Sequence, residues 1–220
     1  MQESFGGNAK IGQSILGSLE QKFIRWATPR VPRFIRSHHL TLATIPIALG
    51  IVLCGYLAQY DERWLWLGSV LIAFQWLTDS LDGAVGRARS EGLLRWGYFM
   101  DHLLDYFFLV AILISYMLLL PTEFVPLHFV LLAIFAGYMV QSFLAFGATN
   151  QFRIVHLGIG PTEIRIVFIT INILLSLFGK TYLRWSLPWI LGLSILGLIV
   201  IIYRTQKALW IFDMQQKKRE

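Results

Sequence analysis

A single cysteine, Cys54, stands in the whole chain, and it lies inside an apolar run. An internal disulfide is therefore excluded, and a metal–thiolate site would lack its ligands. Charge is scarce too: Asp, Glu, Lys and Arg together make up 15% of the 220 residues. The basic residues flank hydrophobic stretches instead of forming one soluble face, so no nucleic-acid partner is expected. The first 36 residues contain no compact apolar core followed by a small-residue cleavage site, so a cleavable signal peptide is not expected. Internal repeats are missing as well, and with them the inverted-repeat layout of many transporters.

What remains is strongly apolar. Hydrophobic residues make up 56% of the chain, aromatics 15%, and the mean hydropathy is +0.60. Such runs indicate an all-α integral membrane protein, because a span needs about 20 mainly apolar residues. Six transmembrane helices are predicted, near 40–58, 64–81, 98–120, 125–146, 163–178 and 185–203. Of the 19 lysines and arginines, 16 fall on one side of this arrangement, with only Arg63, Lys180 and Arg184 on the other. Positive loops stay in the cytoplasm, so both termini and the loop after the second span should face it. Before the first span, Ile11, Ile15, Leu16, Leu19, Phe23 and Trp26 recur at helical spacing, ahead of Pro29 and Pro32. That pattern predicts an amphipathic helix lying along the membrane surface. The expected division is a cytoplasmic N-terminal segment over 1–39, a six-helix membrane domain over 40–203 and a cytoplasmic basic tail over 204–220.

Against this background four carboxylates stand out: Asp79, Asp82, Asp101 and Asp105. Each unpaired carboxylate at a membrane border costs roughly 2.5 kcal/mol or more, so four together call for cations. Asp79 and Asp82 are three apart and Asp101 and Asp105 four apart, which puts each pair on one helical face. A short connection between the second and third spans would make their helices antiparallel neighbours with facing pairs. Hard oxygen donors suit Mg²⁺ or Mn²⁺, and two such ions would balance the four charges. A caged pair of divalent ions is a device for phosphoryl chemistry. Gly83 would let a bulky ligand approach the backbone, Arg87 can meet phosphate oxygens with a bidentate fork, and Gly97 leaves room one turn before Asp101. An ordinary salt network with Arg87, Arg89 and Arg95 is the plainer reading of the same charges.

The residues Asp79, Asp82, Gly83, Arg87, Gly97, Asp101 and Asp105 resemble the motif D-x-x-D-G-x-x-A-R-x8-G-x3-D-x3-D of the CDP-alcohol phosphotransferases. Two departures occur: Gly86 stands where that family usually has Ala, and nine residues rather than eight separate Arg87 from Gly97. The resemblance implies a six-span transferase in which an alcohol hydroxyl attacks the β-phosphorus of a CDP-linked donor and CMP leaves. By the same resemblance Asp79, Asp82 and Asp101 are metal ligands. Asp105 completes the metal site and acts as general base, and Gly83, Arg87 and Gly97 contact the CDP group. The partners implied are a CDP-linked donor, a lipid or alcohol acceptor and membrane lipids, and family members are often homodimers.

Two versions of the reaction differ in which substrate is the lipid. CDP-diacylglycerol can give a phosphatidyl group to a small polar alcohol, or CDP-choline or CDP-ethanolamine can give its head group to diacylglycerol. Thr162-Glu163 at the start of the fifth span and His102 directly after Asp101 resemble the second branch. Glu163 and His102 thereby join Asp105 as candidate catalytic residues. Arg165 reads either as a neutraliser of Glu163 or as a snorkelling side chain. Rival readings are a cation transporter, since intramembrane carboxylates also mark ion paths, and an inactive membrane scaffold.

Overall fold

A computed structural model describes residues 14–150 and 158–217, and among these it contains eight α-helices. Ile11 of the expected amphipathic pattern, and Lys10, Arg153, Lys218 and Arg219 of the basic side, lie outside the described residues. The helices are α1 (Gly17–Ala27), α2 (Ser37–Leu42), α3 (Thr44–Leu57), α4 (Trp64–Ala88), α5 (Leu94–Met117), α6 (Val125–Thr149), α7 (Pro161–Phe178) and α8 (Thr181–Lys217).

α4 is the central pillar. Leu65, Ser69, Ile72, Gln75, Thr78, Asp82 and Val85 are all buried, and their three- and four-residue spacing gives one continuous stripe facing inward. α2, α3 and α7 pack around this pillar, α3 also packs on α5, and α6 pairs with α8. Ile47, Ile51, Ile112, Phe168 and Leu175 fill the shared core. Outward-facing apolar residues stay uncovered, with Leu49 68%, Phe129 71%, Leu144 69% and Leu193 69% exposed. Rows of such residues on long helices are what lipid, not water, solvates.

Five stretches are long and apolar enough to cross a membrane: Ser37–Leu57, Leu94–Met117, Thr122–Thr149, Pro161–Phe178 and Arg184–Gln215. The chain is therefore a multi-pass integral membrane protein. α4 has 25 residues, about 37 Å at roughly 1.5 Å per residue, but Gln75, Asp79, Ser80 and Asp82 dilute its hydropathy.

Several helices outrun the sequence pattern. α4 was expected to end near 81 but continues to Ala88, so Gly83, Gly86 and Arg87 are all helical. No proline or capping residue interrupts Gly83–Ala88, and its Ala, Val and Arg residues carry the helix on. α5 starts at Leu94, not at 98. α8 runs unbroken into the segment read as a tail, because Gln206, Lys207, Ala208 and Leu209 are helix formers. At the other end, α1 stops at Ala27 where Pro29 opens a 3₁₀ turn over Thr28–Arg30.

Helix contacts are close where glycine permits. A Cβ added to Gly55 would lie 2.6 Å from the Cα of Ser115, so α3 and α5 meet backbone to backbone. Gly55→Ala should therefore lower stability by about 1–3 kcal/mol. Thermal unfolding in detergent micelles measures this, and an unaltered melting temperature would refute the close approach.

Candidate functional site

The carboxylates converge through a different packing from the one the sequence suggests. Direct backbone contact between α4 and α5 is sparse, and α2 and α3 lie against both of them. The turn between the helices is short, with Ser90 (φ 53°) and Gly92 (φ 74°) in the left-handed region. The carboxylates of α4 and α5 face one another from two helices that both pack on α2 and α3.

Asp79, Asp101 and Asp105 each offer one carboxylate oxygen, and these oxygens lie within 4.8 Å of one another. All three are partly buried. The fourth aspartate stands apart: buried Asp82 accepts a 2.8 Å hydrogen bond from Thr41 Oγ1 of α2, and its other oxygen accepts from the Gly83 N–H. Three hard oxygen donors at this separation fit Mg²⁺ or Mn²⁺, which bind oxygen and keep waters in their shell. The fit comes from the donor set itself, since such closely spaced like charges repel unless a cation lies between them.

One cation is already there. Arg165 of α7 is buried, and its Nη2 donates to Asp79 Oδ2 at 2.8 Å and to Asp105 Oδ1 at 3.2 Å. Its Nε donates to Gln75 Oε1 at 2.7 Å, which fixes the guanidinium plane. This corrects two expectations. Arg165 neither pairs with Glu163 nor snorkels to head groups, because residues two apart on a helix point to different faces. Arg89, offered above as part of a loop salt network, instead donates to the carbonyls of Ile35 at 2.5 Å and Val31 at 2.7 Å. It pins the chain before α2 to the end of α4.

Glu163 turns its carboxylate to backbone. Oε1 accepts from the Leu16 N–H at 2.9 Å and Oε2 from the Gly160 N–H at 2.8 Å. The second bond is half of a capping arrangement at the start of α7, where free N–H groups favour a carboxylate. Glu163 therefore sits at a joint between α7 and the segment leading into α1.

His102 is buried beside Asp101, with its Nδ1 3.1 Å from Asp101 Oδ2. Its ring lies near Tyr98 and Phe143, at centroid distances of 4.5 and 5.8 Å. Here α5 and α6 form a half-open cleft of about 460 Å³ lined by Tyr98, Phe99, His102, Leu103, Tyr106, Ala136, Met139, Val140 and Phe143. The lining is almost wholly apolar, and His102 joins it to the carboxylates.

The nucleotide candidates Gly83 and Arg87 lie on α4 and Gly97 on α5. A Cβ added to Gly83 would lie 3.1 Å from Arg87 Nη1, so the guanidinium folds over that glycine. At Gly97 a Cβ would meet nothing within 4 Å, which leaves open space one turn before Asp101. Gly86 has a packing reason: a Cβ there would stand 3.3 Å from Ser37 Cβ and Oγ, tight against the start of α2. Ser37 in turn donates its N–H to Glu91 Oε2 at 3.0 Å.

Sequence reasoning missed Gln75, Thr41 and the partnership of Arg165. A signal existed for the first, since Gln75 is a polar residue one turn before Asp79 inside an apolar run. Thr41 had none, because a threonine in a membrane helix most often bonds its own backbone.

The family model described as CDP-alcohol phosphatidyltransferase matches residues 37–203. The match covers all four aspartates, Gly83, Arg87, Gly97, His102, Glu163 and Arg165. No curated protein and no solved structure matches the chain.

Proposed function

Because the chain belongs to the CDP-alcohol phosphatidyltransferase family, whose members transfer a phosphoryl-linked group from a CDP-alcohol to an alcohol, we propose that it moves a choline- or ethanolamine-type head group onto diacylglycerol. The observation that carries this reading is the convergence of Asp79, Asp101 and Asp105 within 4.8 Å, beside an apolar cleft that His102 joins to them. A lipid hydroxyl entering between α5 and α6 would meet the carboxylates directly. The Thr162-Glu163 and Asp101-His102 pairs support the same branch.

In this proposal Asp79, Asp82, Asp101 and Asp105 hold two divalent ions, with Gly83, Arg87 and Gly97 around the CDP group. Bound there, Mg²⁺ or Mn²⁺ neutralises the diphosphate and the charge developing on the leaving phosphate. Asp105 takes the proton from the acceptor hydroxyl, with His102 as the nearby second base. The acceptor oxygen bonds to the β-phosphorus, the bond from that phosphorus to the bridging oxygen breaks, and CMP leaves with the oxygen. Glu163 serves by capping α7. Lys and Arg asymmetry supports a cytoplasmic site and termini. α4 forms a sixth span, and α1 lies on the membrane surface with Leu19 61% and Trp26 57% exposed.

The phosphatidyl-donor version keeps one specific observation in its favour, the basic Arg165 beside the carboxylates, which could meet an acceptor phosphate. Incubation with a panel of CDP-linked donors and acceptors decides between them, with CMP and the lipid product read by mass. The expected product is phosphatidylcholine or phosphatidylethanolamine. Chelator should stop CMP release, and added Mg²⁺ or Mn²⁺ should restore it. Metal-dependent ion flux in sealed vesicles without CMP would favour transport instead.

A further inference from the structure

We propose that Glu20 of α1 is a positioning residue that ties α4, which carries Asp79, to α7, which carries Arg165. The proposal rests on the reading of Asp79, Asp101 and Asp105 as metal ligands. Glu20 Oε1 accepts a 3.0 Å hydrogen bond from Ser80 Oγ on α4, and Oε2 accepts a 2.9 Å bond from Thr162 Oγ1 on α7. Ser80 directly follows Asp79, and Thr162 lies one turn before Arg165. One carboxylate outside the membrane helices therefore spans the same pair of elements that the Arg165–Asp79 ion pair spans.

The two links differ in what disturbs them. Arg165 shares Asp79 and Asp105 with any divalent cation, since both compete for the same negative charge. The Glu20 bridge uses hydroxyl donors and is untouched by that competition. It is thus a polar link between α4 and α7, added to their apolar packing, that persists when a cation loads. α1 is seated well enough to act this way. Ile15 N donates to Gly158 O at 3.1 Å, Leu16 N donates to Glu163, and the Phe23 ring stacks on Trp76 of α4 at 5.3 Å. Trp76 neighbours Gln75, which orients Arg165.

Mn²⁺ binding by electron paramagnetic resonance, paired with CMP release, tests this on the full chain. Glu20→Ala should raise the Mn²⁺ dissociation constant and lower kcat, each about tenfold, as loss of a group that orients metal ligands does. Glu20→Gln should restore both, because an amide can still join two hydroxyls. Combining Glu20→Ala with Ser80→Ala and Thr162→Val should add no further loss, since all three act through one bridge. Where Glu20→Ala fails to fold, Ser80→Ala and Thr162→Val carry the same test singly. Wild-type Mn²⁺ affinity in a folded Glu20→Ala chain overturns the bridge alone, as do losses that add. Failure of the unaltered chain to bind Mn²⁺ overturns the cation site, and the role of Glu20 with it.

Discussion

Asp105→Asn should lower CMP release by about 10³-fold while the protein stays folded. The amide keeps the shape of the side chain but loses the charge and the basicity that the proposed roles of Asp105 require. The fold should survive because Arg165 keeps its bonds to Asp79 and Gln75 when Asp105 is neutralised. Burial of the carboxamide adds little strain, since the Asp105 side chain is 30% exposed. CMP release measured alongside a melting curve separates chemistry from folding. Full CMP release by a folded Asp105→Asn chain would remove this residue from the reaction.

The second large effect concerns Arg165. Its side chain is 6% exposed and meets two carboxylates and one amide. Arg165→Leu should destabilise the protein by about 3–5 kcal/mol in chelator, because removing one partner strands buried charge. The sign in the presence of metal is the informative part. A divalent ion binding only the folded state replaces the lost positive charge and stabilises by mass action. The melting temperature should therefore recover on adding Mn²⁺, and by more than the unaltered protein gains. Equal Mn²⁺ gains in both chains would mean that Arg165 and the cation do not share the carboxylates.

Much of this was legible because the physics is local. Spacings of three and four residues place Asp79 with Asp82 and Asp101 with Asp105 on helical faces whatever the helices pack against. The long apolar runs predict membrane helices by length alone. Packing was less legible. A short connection suggests antiparallel neighbours, yet α2 and α3 lie against both α4 and α5, and nothing in the 89–93 turn reports that. Asp82 shares a helical face with Asp79, but nothing in the sequence reports its hydrogen bond from the hydroxyl of Thr41. Glu20 and Thr162 lie 142 positions apart, so their bond belongs to the tertiary fold. Helix ends were misjudged for another reason. Polar residues mark where an apolar run ends, not where a helix stops, and α4 and α8 both continue past that point.

That continuation in α8 has a mechanical result. Its 37 residues measure about 55 Å at roughly 1.5 Å per residue, against a hydrocarbon slab of about 30 Å. About 25 Å of it therefore extends beyond the hydrocarbon slab as a rigid helical post. A probe attached near Asp213 would then report the tilt of the whole α6–α8 pair as a change in height above the lipid.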